Sequence, residues 1–225
     1  MTPSTPDIVV DTARAAIRAE AAAVALVADQ LDDSFSEAAS WLRYCRGKVV
    51  LTGAGTSASV AQRSAHLFAV CGTPAFAMEA ADALHGTMGA LTRDDILIAM
   101  SKGGGSAEVN AFAALARERH VRVITLCSTS DAELTRHADL AIHIPAHDAG
   151  DPGGFVAMGS TLAYSAWLDA MALVLMRSRQ YAWADVLATH PRGAVGHIRT
   201  APAPLDPLDI RQRALRRRHN FACAL

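Results

Sequence analysis

The chain has 225 residues, enough for one domain with a substantial core, and 51% of them are apolar. Its 21 basic and 22 acidic side chains leave a formal net charge of −1, which gives neither nucleic acid nor an anionic membrane surface any general attraction. Cys45, Cys71, Cys127 and Cys223 are widely spaced with no C-x-x-C pair, so they fit neither a zinc site nor a disulfide framework and read as reduced thiols of a cytoplasmic protein.

The N-terminus carries early prolines and an acidic residue, which is not the pattern of a secretory signal. Residues 8–31 predict a helix in which Ile17, Val24 and Leu31 recur at seven with Ala21 and Ala28 between them, a narrow stripe suited to close helix packing within the chain or between subunits. A second helix is expected over residues 36–45, and Gly47 breaks the pattern. From there the chain alternates. Strands are predicted at 48–52, 75–78, 95–100, 121–126 and 139–144, and helices at 57–71, 79–84, 106–119, 131–136, 156–178 and 180–188. Strands rich in Val, Ile and Leu without polar alternation suit a parallel sheet covered on both faces, and the helices between them supply right-handed crossovers. The fold class is α/β, a doubly wound parallel sheet preceded by helices. Residues 161–176 are the strongest membrane candidate, but the run is short for a span and carries Asp169 at its middle, so a core or subunit-interface helix is expected. After Ile198 the run Ala201-Pro202-Ala203-Pro204-Leu205-Asp206-Pro207 reads as linker-like, and residues 211–218 as a basic, solvated tail. The organisation expected is N-terminal helices over 1–46, a ligand-binding core over 47–198 and a tail over 199–225.

Two loops carry the chemistry. Gly53-Ala54-Gly55-Thr56-Ser57-Ala58-Ser59 follows the first strand, and Ser101-Lys102-Gly103-Gly104-Gly105-Ser106 follows the third. Glycines let backbone N–H groups turn toward a ligand, and a helix start adds partial positive charge. Two such loops at neighbouring strand ends make one anion cradle, a site for a phosphorylated small molecule. Gly53-x-Gly55-x-x-Ala58 with Glu79 after the next strand also matches a loose dinucleotide fingerprint, but that reading leaves the second loop unexplained. Proton-transfer candidates are Glu108, in the first turn after the second loop, and His85 and His190, each at a helix end beside Gly or Pro. No cluster has the spacing of metal ligands, and no Gly-x-Ser-x-Gly elbow supports acyl transfer.

These loops, in this order, resemble the SIS (sugar isomerase) domain family, most closely its arabinose-5-phosphate isomerases. The resemblance covers roughly residues 40–198 and rests also on Gly72-Thr73-Pro74, on Glu79-Ala80-Ala81-Asp82-Ala83-Leu84-His85-Gly86 and on Thr189-His190-Pro191-Arg192-Gly193-Ala194-Val195-Gly196. It implies a flavodoxin-like five-stranded sheet and a homo-oligomer, dimer or tetramer, with active sites at subunit interfaces. It further implies aldose–ketose isomerisation of a phosphorylated monosaccharide through an enediol, without a cofactor. Gly55, Thr56, Ser57, Ser101, Lys102, Gly103 and Ser106 fall at the phosphate loops, Glu108 matches a loop glutamate of the family, and His85 and His190 match histidines placed at its site. The departures are as informative. Thr56 stands where close relatives carry a lysine, and Gly103 and Gly105 where they carry serine and an acidic residue. Lys102 is expected to restore the missing charge from the other side of the cradle, and Asp148 or Asp151 to replace an acidic residue of the following loop. The regulatory domain pair that follows many such isomerases is not expected, since the chain ends soon after the His190 motif. A non-catalytic phosphosugar sensor is the competing reading. The retained Glu108, His85 and His190 oppose it.

Overall fold

The computed structural model describes residues 7–146 and 148–211; His147, Cys223 and the basic run beyond Arg211 lie outside them. Five strands, β1 (Val49–Gly53), β2 (Ala75–Ala77), β3 (Ile96–Met100), β4 (Arg122–Cys127) and β5 (Leu140–His143), form one parallel sheet in the order β2-β1-β3-β4-β5. Seven α-helices are described: α1 (Ile8–Asp29), α2 (Asp33–Arg43), α3 (Thr56–Val70), α4 (Ala80–Leu84), α5 (Ala107–Glu118), α6 (Gly159–Arg179) and α7 (Trp183–Ala188). The expected flavodoxin-like arrangement is present.

The two faces of the sheet separate by the period-2 alternation of strand side chains. Val49, Leu51, Ile96, Ile98, Met100, Ile124 and Leu126 point into one core with α1, α2, α3 and α6. Val50, Leu97, Ala99 and Val123 point into the other with α4 and α5. Both faces are buried, which is why the strands read as unbroken apolar runs. α6 is long and apolar enough to cross a membrane by length and composition, yet Ala163, Tyr164, Trp167, Leu168, Met171 and Leu175 are buried in the protein's own core. It is a core helix.

Chain order reverses between β1 and β3: β1 connects outward to β2 on one side and β3 to β4 on the other. The β1–β3 ladder runs Val49↔Ile96 through Gly53↔Met100, so both strands end in step and both Gly/Ser loops leave the same edge side by side. Such a switch point at the carboxyl edge is where open α/β sheets bind ligands.

The opposite edge is held by Asp95, which is buried. Its carboxylate accepts from Lys48 N (2.8 Å) and Thr92 N (2.7 Å) and pairs with Lys48 Nζ (2.8 Å). Burial alone would raise the Asp95 pKa, but these partners outweigh it and hold the group below the usual carboxylate range. Gly47 is needed there because a Cβ would sit 2.1 Å from Asp95 Oδ1.

Ile17 and Val24 of α1, and Leu31 just beyond it, face outward, while α1 buries Ala23 and Val27 against α6 and the 148–150 turn. Two sequence expectations change. Residues 131–136 form no α-helix; a 3-10 turn, Leu134–His137, stands there. The linker-like segment is fastened along its described length: Trp183 Nε1 donates to Ala203 O (2.9 Å), Arg177 Nε to Asp206 O (2.8 Å) and Tyr44 OH to Ile210 O (2.9 Å).

Candidate functional site

The second loop is curled and buttressed from behind. Ser101 N continues the sheet by donating to Leu126 O (3.2 Å). Ser101 Oγ accepts from Gly104 N (3.1 Å) and shares a hydrogen bond with Ser106 Oγ (3.2 Å). Gly104 O accepts from Leu134 N (3.2 Å) and from the buried Asn110 Nδ2 (3.1 Å). Gly104 has φ +67°, and a Cβ there would lie 2.3 Å from Ala132 Cβ, so the loop closes this tightly only with glycine.

The front of the loop is open. Nothing lies within 4 Å of a Cβ built on Gly103 or Gly105. Among the described residues none accepts from the N–H groups of Gly103, Gly105 or Ser106. Ser106 is the N-cap of α5 but makes no side-chain cap bond, because its hydroxyl is turned to Ser101. The start of a twelve-residue helix is therefore left for a ligand.

The first loop repeats the pattern one strand away. Gly55, at φ +57°, caps α3 without a side-chain bond, and nothing lies within 4 Å of its would-be Cβ. Gly53 lets α3 cross tightly, since a Cβ there would be 2.7 Å from Ser57. Thr56 is exposed and Ser57 buried. Two uncapped helix starts and their hydroxyls thus flank the β1–β3 crevice, an arrangement that attracts and hydrogen-bonds a phosphate.

Lys102 is engaged elsewhere. Its Nζ lies 2.6 Å from Asp151 Oδ2 and donates to Gly154 O (2.6 Å). The Asp151 side chain is 1% exposed, and its Oδ1 accepts from Met158 N (2.8 Å) and Ser160 N (3.0 Å) at the start of α6. Burial works to raise the Asp151 pKa, but Lys102 and the N–H donors outweigh it and hold the group at about 2. Asp151, one of the two acidic residues expected in this loop, is thus tied to the second Gly/Ser loop. Its link to Lys102 carries no local signal, because the pair is separated by a helix, two strands and their connecting turns.

Of the three acid–base candidates, the chain brings Glu108 to this edge. It sits half-buried in the first turn of α5, and its carboxylate makes no hydrogen bond or ion pair with another described residue. His85 is exposed at the C-cap of α4. His190 follows α7, beyond the far end of α6, where Arg179 Nη2 bonds Leu42 O (2.9 Å). Its hydrogen bonds are local: Nδ1 donates to Val186 O (2.7 Å) and meets Thr189 Oγ1 (3.3 Å). None of these bonds joins His190 to either Gly/Ser loop. The buried hydroxyl of Tyr164, 3.0 Å from Ser128 Oγ, is pushed up in pKa by burial and stays protonated. Burial likewise raises the thiols of Cys45, Cys71 and Cys127, so none is poised as a thiolate. Among the described residues no group of His, Cys, Asp and Glu is placed to hold a metal.

The dinucleotide alternative fits poorly. The cavity beside Glu79, lined also by Gly53, Ala58, Ala61, Gln62 and Met78, holds about 70 Å³. Pockets for ligands of nucleoside size are several times larger, ~300 Å³ or more.

Comparison with known proteins agrees with this geometry. The sequence model of the SIS domain matches residues 42–174. Arabinose 5-phosphate isomerase KdsD of Escherichia coli K12 is 31% identical over 166 residues, 74% of this chain and 51% of that protein. The chain spans about half the length of the curated relatives it matches. An Escherichia coli CFT073 protein solved in complex with arabinose 5-phosphate superimposes with a TM-score of 0.79 at 28% identity, covering 83% of this chain and all of that one. A Listeria monocytogenes protein described as a putative sugar-phosphate isomerase gives 0.79 at 27% identity over 84% of this chain and all of its own. The matched span takes in the whole sheet and both Gly/Ser loops: the chain belongs to the SIS domain family.

Proposed function

We propose that this protein is a cytoplasmic aldose–ketose isomerase of a phosphorylated monosaccharide, with arabinose 5-phosphate the first substrate to test. The observation that carries the reading is the pair of open loops and uncapped helix starts at neighbouring strand ends, with the carboxylate of Glu108, which has no partner among the described residues, in the first turn of α5. The phosphate lies against the N–H groups of Gly55, Gly103, Gly105 and Ser106 and the hydroxyls of Thr56, Ser57, Ser101 and Ser106. Anchoring that end fixes the carbonyl end, and such positioning is worth up to several kcal/mol of the barrier. Glu108 takes the C2 proton of the open-chain aldose, the electron pair moves to O1 to give the enediolate, the C2 hydroxyl proton passes to O1, and the proton taken by Glu108 or one from water returns at C1 to give the ketose. Loop N–H groups stabilise the enediolate oxygens.

His190 enters from a second copy of the chain, and His85 assists ring opening. The exposed apolar side chains of α1 and its surroundings, Ile8, Val9, Ile17, Phe155 and Leu173 among them, support association into a dimer or tetramer. The test is to incubate the protein with arabinose 5-phosphate in deuterated water and follow C2 deuteration and ketose formation by NMR. Exchange at C2 supports isomerisation. Tight binding without exchange for any pentose or hexose phosphate would make the protein a phosphosugar sensor instead.

A further inference from the structure

Side chains of β3 alternate between the two cores, and the alternation continues into the second loop. Leu97 and Ala99 face α5, and Ser101 follows them by meeting Ser106 at the start of that helix. Ile96, Ile98 and Met100 face α3 and α6, and Lys102 follows them by pairing with Asp151 before α6. Ser101 and Lys102 thus leave the strand toward opposite faces of the sheet, Ser101 to the start of α5 and Lys102 to Asp151 before α6. Lys102 is also where the loop's fasteners meet. Its carbonyl accepts from Ser128 N (3.0 Å) and Cys127 Sγ (3.4 Å) at the end of β4, while its ammonium bridges Asp151 and Gly154 O. The Asp151 carboxylate in turn holds Met158 N and Ser160 N, so one ion pair joins the start of α6 to the second anion loop.

We propose that Asp151 and Lys102 are positioning residues, whose ion pair locks residues 151–158 onto the second loop and sets the Gly103–Ser106 donors for phosphate without either side chain touching it. The affinity arm of the test rests on the phosphosugar reading above; a second arm does not. In the first arm, the affinity for arabinose 5-phosphate is measured in Asp151→Asn, Lys102→Met, the double variant and Lys102→Arg. Asp151→Asn and Lys102→Met each weaken binding about tenfold, the double variant is no weaker than either, as for two residues acting as one unit, and Lys102→Arg keeps most of the affinity. If Lys102 instead touches the phosphate, Asp151→Asn frees it and binding stays or tightens while Lys102→Met weakens it. That pattern overturns the proposal, as do unchanged affinities in both single variants.

In the second arm, amide hydrogen exchange is read without ligand at Gly104, which donates to Ser101 Oγ, and at Ser128, which donates to Lys102 O. Both single variants speed exchange at these two amides about tenfold if the pair fastens the loop. Exchange as slow as in the parent chain overturns the proposal whether or not a sugar phosphate binds. Absence of sugar-phosphate binding in the parent chain would remove the phosphosugar reading alone.

Discussion

The three consecutive glycines of the second loop occupy different environments, and alanine at each should report a different property. At Gly104, alanine must adopt φ +67° and place its methyl 2.3 Å from Ala132 Cβ and 3.0 Å from Cys127 Sγ. The left-handed conformation costs about 1–2 kcal/mol and the overpacking about 1–3 kcal/mol, so Gly104→Ala should destabilise by about 3 kcal/mol. For a chain of this size that lowers Tm by roughly 10 °C. Gly103 and Gly105 have no positive φ and open space before them, so alanine at either should move Tm by only a few degrees. The added methyl would instead occupy the space a phosphate oxygen needs, and the affinity for arabinose 5-phosphate should fall at least about tenfold, the equivalent of one displaced hydrogen bond. Thermal denaturation and titration calorimetry on the three variants separate the effects. A Gly104→Ala protein as stable as its parent would refute the buttressed loop, and Gly103→Ala and Gly105→Ala proteins that bind normally would refute the open face as the phosphate face.

Glu108→Gln should lower kcat by about 10²–10⁴ with little change in sugar-phosphate affinity, measured by steady-state kinetics and calorimetry. The Asp151 pKa is lowered to about 2, so the stability its ionised form contributes is fully present above about pH 4 and is lost as pH falls through about 2; acid titration of folding should show that loss, and Asp151→Asn should lose less stability in acid than the parent chain, keeping only the share of groups such as Asp95. If His190 serves the site of another copy, mixing inactive Glu108→Gln and His190→Ala proteins under subunit exchange should restore part of the activity, whereas continued inactivity of the mixture places both residues in one chain's site.

What was legible in the sequence was what local patterning encodes. Unbroken runs such as Val49-Val50-Leu51 and Ile96-Leu97-Ile98 marked strands buried on both faces, and the glycines after them marked the loops that leave the carboxyl edge of the sheet together. What was not legible depends on contacts between distant segments. The heptad of Ile17, Val24 and Leu31 gives the period of a stripe but not whether the chain itself or a neighbour covers it, and the structure turns it outward. The Lys102–Asp151 pair joins residues whose proximity comes only from where α6 docks on β3. Gly104 reads like Gly103 and Gly105, and only the packing of Ala132 and Cys127 behind it shows that it has a different task. The proline-rich run at 201–207 has the composition of a linker, yet Trp183 and Arg177 supply donors for its carbonyls.

The central claim is that the turns after β1 and β3 hold one and the same phosphate. A titration of the ¹⁵N-labelled protein with arabinose 5-phosphate, followed by amide chemical shifts, addresses it directly. The account expects Gly55, Gly103, Gly105 and Ser106 to shift together along a single binding curve. Shifts confined to one of the two turns, or following different curves, would contradict it.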